Sequence, residues 1–171
     1  MDFFNQTGKL AIGSRLRMLT DKITVDAAAI YKMFGVDLKP KWFPVFFVLS
    51  RGEAKTITSI AKEIGHSHPS VSNIIKEMVA KGLVKETKDK SDGRRNMVML
   101  SAKGKRMSDS FSEQCIDVTA AIEQITQQTR NDLWEAIEEW ENLLLDKSLL
   151  ERVKEAKKER ESKDIKIVPY E

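Results

Sequence analysis

The sequence predicts a mainly α-helical fold with one small β-hairpin near its centre. Three observations predict it. Apolar residues recur at helical spacing in long segments on both flanks of the chain. Between these flanks, two short helical patterns are separated by about four residues. Two strand-like runs, LVKET and NMVML, then enclose a charged loop that holds the turn formers Ser91, Asp92 and Gly93.

Residues 9–34 form the first predicted helix, because apolar residues at steps of three and four line one face. Gly35 offers its C-terminal stop. The following apolar block contains Pro40 and Pro44, which a helix tolerates only near its start. A second helix should therefore begin near one of them, run to Ser50 and be buried nearly all round. The apolar face of the first helix consists of Leu16, Leu19, Ile23, Ala27, Ile30 and Phe34.

A turn with room for a short extended piece, RGEAKTI, leads to the two short helices. We expect Thr58 to cap the first helix and Gly65 to end it. Ser67 is a good N-cap for the second helix, Pro69 suits its first turn, and Gly82 ends it. The expected inner face of this second helix is Val71, Ile74, Met78 and Val79.

The hairpin is followed by Ser101, which should cap a second long helix, and the polar break TQQTRND separates that helix from a third. Residues 151–164 contain 11 charged residues among 14, with both signs mixed, which predicts a solvated helical extension or a linker. The closing IKIVPYE is strand-like. The two long helices carry the stripes Met107, Phe111, Cys115, Val118, Ile122, Ile125 and Leu133, Ile137, Trp140, Leu144.

Composition narrows the class of protein. Hydrophobic residues make up 41% of the 171, which is enough for a core. No apolar run approaches the roughly 18 residues of a membrane span, and the N-terminus lacks the pattern of a secretory signal. The single cysteine, Cys115, excludes an internal disulfide framework. We therefore expect a cytoplasmic protein with no membrane partner.

The net charge of +3 hides an asymmetry along the chain. Residues 51–106 hold 13 Lys and Arg against 6 Asp and Glu, a net of +7, and the rest of the chain has a net of −4. Positive charge concentrated in the central third favours an anionic partner there. A merely solvated basic surface is the alternative on charge alone.

A short helix, a tight turn, a capped second helix and a basic hairpin together predict a winged helix-turn-helix. The second helix should bury one face and leave a polar face whose side chains hydrogen-bond base edges and phosphates in a major groove. Glu77 is its only acid. The polar face consists of His68, Ser70, Ser72, Asn73 and Lys76.

The hairpin loop supplies the expected wing. Five of the eleven residues 85–95 are basic, so an isolated loop would repel itself. A narrow loop tipped with arginine can enter the negative minor groove, and Asp92 would then pair with Arg94 or Arg95 to fix its shape. A solvated hairpin is the alternative. Expected phosphate contacts come from Lys55, Lys76, Lys88, Lys90 and Arg95.

Residues 58–105 contain SVS early in the second short helix, KGLV after it, DGRR in the loop and LSAKGK after the hairpin. With these motifs, under a third of the chain resembles the MarR family of bacterial winged-helix regulators. The resemblance implies that Arg94 enters the minor groove with Asp92 and Arg95 in support. The family often has arginine after SVS; Asn73 stands here, which alters the expected base preference. The implied recognition-helix contacts are Ser67, His68, Ser70, Ser72, Asn73 and Lys76.

A winged helix needs about 70 residues. So small a domain offers too little surface to bury the apolar stripes of the long flanking helices. We expect them to intertwine in a twofold dimer, and the resemblance implies the same; stripes packed on each other in a monomer are the alternative. The expected layout is a dimerisation helix and support helix in 1–50, DNA-binding domain in 51–104, dimerisation helices in 105–150, and a charged linker or tail in 151–171.

The expected function is a homodimeric regulator of a palindromic DNA operator, with repression favoured over activation. The resemblance implies release by a small, often aromatic ligand that lodges where the dimer helices meet the winged helix. No cofactor is expected. Candidate ligand-lining residues are Met18, Tyr31, Trp42, Phe46 and Phe47, although each also fits an ordinary core position.

Other classes of protein are disfavoured. His66 and His68 lack a Cys or acid at metal spacing, and no nucleophile constellation or phosphate-binding loop occurs, so we expect neither a metal site nor an enzyme. A protein-docking winged helix would not need wing arginines. The tail IKIVPYE resembles the first strand of a GNAT-type N-acetyltransferase, so the chain could be the regulatory half of such a fusion; an unstructured tail is favoured.

Overall fold

The computed structural model describes residues 3–88 and 96–163. The chain divides into two compact units, Met1–Val118 and Thr119–Glu171. The predicted wing-tip residues Lys90, Asp92, Arg94 and Arg95 lie outside the described residues, as does the strand-like tail 165–171.

The N-terminal segment forms helix α1 (Phe3–Thr7), a 3₁₀ turn (Gly8–Ala11) and the long helix α2 (Ile12–Met33). The 3₁₀ turn places the start of α2 three residues after the predicted one. The predicted stop is confirmed, since Gly35 adopts a φ of 66° and the Val36 N–H then donates to the Tyr31 carbonyl at 2.8 Å.

Helix α3 (Phe43–Ser50) follows a 3₁₀ turn (Pro40–Trp42), with Pro44 in its first turn as predicted. Its burial is incomplete, which corrects the expectation of a helix buried all round. Val45, Phe46, Val48 and Leu49 are buried, whereas Phe43 and Phe47 are 38% and 37% exposed. The core lies on one side of α3. The rings of Phe43 and Phe47 lie beside the buried ring of Phe111, at centroid distances of 5.8 and 6.5 Å.

The two short helices are α4 (Ile57–Glu63) and α5 (His68–Ala80). Thr58 does not cap α4. The cap is Thr56, whose hydroxyl accepts a hydrogen bond from the Ser59 N–H at 3.1 Å. Thr56 ends a short strand with extended backbone, which is the conformation that an N-cap requires.

A three-stranded antiparallel sheet joins β1 (Lys55–Thr56), β2 (Val84–Lys88) and β3 (Asn96–Leu100) in the order β1-β3-β2. The predicted hairpin is confirmed: Val84 pairs with Leu100, and Lys88 with Asn96. The extended piece in RGEAKTI supplies the third strand. The sheet turns Val84, Val98 and Leu100 into the core.

Helix α6 (Ala102–Gln128) is capped as predicted, because the Ser101 hydroxyl accepts from the Gly104 N–H at 3.1 Å. The same hydroxyl donates to the Gly82 carbonyl at 2.5 Å. Gly104 lies so close to the chain that a Cβ built on it would be 2.2 Å from the Leu83 carbonyl oxygen. The start of α6 is therefore in backbone contact with the turn that ends α5.

The second unit contains α7 (Leu133–Asp146) and α8 (Leu149–Ser162). Asp132 caps α7, and a capping box of Ser148 and Glu151 starts α8. The charged segment predicted as an extension or linker is thus a separate helix with no buried residue.

The core of the first unit lies between α2, α3, α4, α5, the sheet and the first half of α6. Trp42, Phe46 and Phe111 are its largest fully buried side chains. The fold is a winged helix with long flanking helices, as predicted. Among the helices described, none is both long and apolar enough to cross a membrane.

Candidate DNA-binding surface

Helix α5 is held at its start by Ser67, whose hydroxyl accepts from the Ser70 N–H at 3.4 Å, and by Pro69 in the first turn. Its inner face differs from the prediction at one position. Val79 is 40% exposed and Ile75 is fully buried in its place. Val79 lies about 80° around the helix from Val71, so it falls at the edge of the buried face.

The opposite face of α5 collects the predicted recognition residues on one exposed surface. His68, Ser70, Asn73 and Lys76 are exposed, and Ser72 is half-buried. Ser67 is also exposed, although its hydroxyl oxygen is engaged in capping. Imidazole, hydroxyl, amide and ammonium groups together can donate to phosphate oxygens and hydrogen-bond base edges.

The only acid of α5 is engaged in an ion-pair network. The Glu77 carboxylate accepts hydrogen bonds from Lys41 Nζ at 2.7 Å and from the indole N–H of Trp42 at 2.9 Å, and Lys39 Nζ lies 3.6 Å away. The hydrogen bonds from Lys41 and Trp42 lower the pKa of Glu77 below its usual value. The carboxylate thereby ties α5 to the 39–42 segment, and its negative charge is matched.

The strand that continues from α5 presents further positive charge. Lys85 and Lys88 on β2 are exposed, and Lys88 stands at the end of the hairpin that leads to the wing tip. The turn between α5 and β2 is fixed by α6, because Lys103 Nζ donates to the Lys81 carbonyl at 3.1 Å and the Ser101 N–H to Leu83 at 2.9 Å.

Lys55, a predicted phosphate contact, forms an ion pair with Glu63. Its Nζ donates to Glu63 at 2.7 Å and its side chain is only 20% exposed, while Arg51 lies 3.5 Å from the same carboxylate. With so little of its side chain exposed, Lys55 could reach a phosphate only in competition with Glu63, and its phosphate contact stays a prediction.

The candidate ligand-lining residues differ in their burial. Tyr31, Trp42 and Phe46 belong to the buried core, whereas Phe47 is 37% and Met18 is 49% exposed. Burial raises the pKa of Tyr31 to about 12, with a further rise from the neighbouring Cys115 and an opposing hydrogen bond from Gln114.

His66 and Cys115 belong to residue types that can ligate a metal ion. Among the described residues, no group of three or more His, Cys, Asp or Glu side chains could hold a metal ion. Cys115 is half-buried, and desolvation raises the pKa of its thiol, which disfavours the reactive thiolate.

The sequence pattern does not predict that Lys39 and Lys41 pair with Glu77 on α5. Their exposed side chains lie beside α5 through Glu77, which is 38 and 36 positions along the chain from Lys39 and Lys41 respectively. The isolated acid on an otherwise acid-free helix was the one available signal, since a lone carboxylate on such a face needs a cationic partner.

Residues 36–95 match the model of the MarR family. No curated protein sequence matches the chain closely enough to count as a relative. Solved structures with the same fold include the transcriptional repressor CouR bound to a 23-mer DNA duplex, 20% identical with a TM-score of 0.60, covering 81% of this chain and 96% of that one. The adhesin competence repressor AdcR from Streptococcus pyogenes is 19% identical with a TM-score of 0.57, and the match covers 78% of this chain and 95% of that one. The transcriptional regulator PcaV from Streptomyces coelicolor, solved in complex with its natural ligand, is 13% identical with a TM-score of 0.59. That match covers 80% of this chain and 92% of that one.

Proposed function

We propose that this chain, a MarR-family winged-helix protein whose residues 36–95 match the family model, is a transcriptional regulator that binds double-stranded DNA as a homodimer. Repression is the favoured sign. A palindromic operator follows from the twofold symmetry of a dimer. The similar fold of CouR, which was solved on a DNA duplex, supports a DNA partner.

One observation carries the proposal: α5 buries one face completely and presents the other to solvent. Val71 and Ile75 are fully buried, while Asn73 and Lys76 between and beyond them are exposed. An α-helix of this kind fits the major groove, where amide and hydroxyl groups read base edges. The α6 contacts at Lys81 and Leu83 fix how far the helix stands from the hairpin.

The wing should add contacts to the minor groove and its phosphates. Lys88 is exposed at the base of the wing. Lys90, Asp92, Arg94 and Arg95 continue it outside the described residues, so their roles rest on the sequence motif. Phosphate contacts supply affinity that falls steeply with salt, and base contacts supply sequence preference.

Homodimerisation is supported by the apolar side chains that the single chain leaves uncovered. On α2, Ile23 is 59% exposed and Met33 is 73% exposed; on α6, Ile122 is 57% exposed; on α7, Trp140 is 54% exposed. Patches of this kind mark surfaces that another molecule covers. A second copy would bury them and set two α5 helices about 34 Å apart, one turn of DNA.

We further propose that a small ligand, aromatic in character, releases the DNA. Phe47 and Met18 are partly exposed and so accessible to such a ligand, whereas Tyr31, Trp42 and Phe46 belong to the buried core. Gln114, which hydrogen-bonds Tyr31, has a buried Oε1 with no partner among the described residues. A donor group on a ligand would satisfy that oxygen. PcaV, which shares the fold, was solved with its natural ligand.

The proposed activity is binding rather than catalysis, in the cytoplasm and without a cofactor. The test is a titration of the purified chain against the DNA just upstream of its own gene, with unrelated DNA as the control, over a range of salt. We expect tight binding at two protomers per site with a steep salt dependence. Equal, weak binding to both DNAs would count against a sequence-specific regulator.

A further inference from the structure

A cleft of about 320 Å³ runs beside the exposed face of α5. Ser70 and Asn73 line it from the proposed reading face, and Lys41 lines it from the 40–44 segment. His66 stands at one end, in the turn before α5, and Glu77 also contributes to its wall. The cleft therefore joins the proposed base-reading side chains to a cation that comes from a different part of the chain.

Positive charge exceeds negative charge around Glu77. Lys39 and Lys41 share the single carboxylate of Glu77, at 3.6 and 2.7 Å. Each lysine side chain remains more than half exposed, at 55% and 56%. An ammonium group has three donors, so neither lysine is saturated by a shared carboxylate.

Both ammonium groups are held in place before any partner arrives. Lys39 Nζ lies 5.0 Å above the ring of Trp42, and that ring is buried and hydrogen-bonded to Glu77. A side chain that is already ordered loses less conformational entropy when it binds. The arrangement is suited to an anion that approaches along the exposed face of α5.

We propose that Lys39 and Lys41 form a second phosphate-binding element, which takes a backbone phosphate of the duplex that α5 reads. Glu77 is the positioning residue of this element: it orients the two lysines and keeps α5 beside them. The inference rests on the proposed DNA-binding function. It differs from the family motif, whose implied contacts lie on α5 and the wing.

A purely structural network is the competing explanation, in which Lys41 only braces Glu77. A double-mutant cycle separates the two. If Lys41 contacts phosphate, removing its charge weakens binding whether or not residue 77 is charged. If it only braces Glu77, Lys41→Gln has no effect once Glu77→Gln is present.

The experiment measures the Kd of the full chain by fluorescence anisotropy at several salt concentrations. The probes are a duplex selected from a random pool by the parent protein and an unrelated duplex. The variants are Lys41→Gln, Glu77→Gln and their combination. Lys157→Gln on α8 makes the same change of charge elsewhere and is the matched control. Thermal unfolding confirms that each variant is folded.

For each of the two copies of Lys41 in the proposed dimer, we expect Lys41→Gln to weaken binding to both duplexes by roughly fivefold to tenfold near 0.1 M salt and to lower the salt slope by about 1. Glu77→Gln should change binding less than Lys41→Gln does, because the loss of lysine positioning is opposed by the removal of a negative charge beside the DNA. In the double variant, the loss from Lys41→Gln should persist.

Three results would overturn the inference: an unchanged Kd and slope in Lys41→Gln, a loss that vanishes in the Glu77→Gln background, or an equal loss in Lys157→Gln. A parent protein that binds neither duplex overturns the proposed function and this inference with it. If the parent protein binds DNA normally and Lys41→Gln has the same Kd, only the inference is overturned.

Discussion

The Glu77 carboxylate accepts a hydrogen bond at 2.9 Å from the indole N–H of Trp42, which is 35 residues away in the sequence and 99% buried. This bond joins the outer face of α5 to the core. It also gives a structural reason for the one acid on α5. The carboxylate serves the fold, and its charge is matched by Lys39 and Lys41.

Trp42→Phe should therefore destabilise the chain in a pH-dependent manner. The pKa of Glu77 is lowered in the folded state from an ordinary 4.5, so its stabilising contribution is present above pH 4.5 and lost as pH falls through the lowered pKa. Trp42→Phe keeps an aromatic ring and removes the N–H donor. Denaturant unfolding at pH 7 and at steps below 4.5 should show the gap between parent and variant shrinking with acidity. A gap that is constant with pH would contradict this.

Gly104→Ala should cost about 1 to 3 kcal/mol or more, because its Cβ would lie 2.2 Å from the backbone oxygen of Leu83, which cannot yield as a flexible side chain does. Gly13→Ala, inside α2 with nothing within 4 Å of its Cβ, is the matched control. It should be neutral or stabilising by up to about 1 kcal/mol. Urea unfolding measures the free energy of unfolding of both variants. Equal values for Gly104→Ala and Gly13→Ala would contradict the close contact at Gly104.

Asn73→Ala should cost about 1 to 3 kcal/mol of binding and relax the base preference at one operator position. Lys76→Ala, one turn along the same exposed face, should weaken binding about equally on all sequences and reduce the salt slope. Kd values across a panel of single-base operator variants measure both effects. If Asn73→Ala loses the same factor on every sequence, then Asn73 only positions the protein.

Arg94→Ala should weaken DNA binding broadly and leave the dimer intact, because the resemblance places this arginine in the minor groove rather than in an interface. Anisotropy measures the affinity and analytical ultracentrifugation the mass. If the affinity of Arg94→Ala for DNA equals that of the parent protein, Arg94 does not contact the minor groove.

Ile122→Glu should dissociate the proposed dimer, because a charge would be buried within the apolar stripe of α6. Gln124→Glu is the control, about 200° around the same helix from Ile122. Sedimentation should give a monomer for the first variant and a dimer for the second. A parent chain that is itself monomeric would exclude the dimer outright.

Much of the fold could be predicted because its signals are local. Gly35 and Gly82 end helices with positive φ, at 66° and 70°, and Ser67 and Ser101 cap the next ones. The exposed face of α5 followed from helical periodicity in the same way. Thr56 was missed in favour of Thr58 because the cap depended on where a two-residue strand ended, and that strand exists only through its pairing with β3.

The rest depended on contacts between distant residues. Lys39, Lys41 and Trp42 meet Glu77 only because the core packs their segment against α5, and no periodicity reports such a meeting. The aromatic candidates show the same limit. Their spacing predicted a core or ligand-lining position for all of them. Phe46 is nevertheless buried and Phe47 partly exposed, because only Phe46 lies on the side of α3 that faces the core.

The contact at Gly104 also has a mechanical consequence. Within the first unit, α6 extends about 21 Å from Gly104 to Val118, and a contact without an intervening side chain leaves little room for the start of the helix to shift against the Leu83 carbonyl. A tilt of about 5° at Gly104 therefore moves Val118 by about 2 Å. Conversely, a displacement of that size at Val118 becomes a small rotation beside the turn that ends α5. This part of the helix is thus a lever, and Gly104 is its pivot.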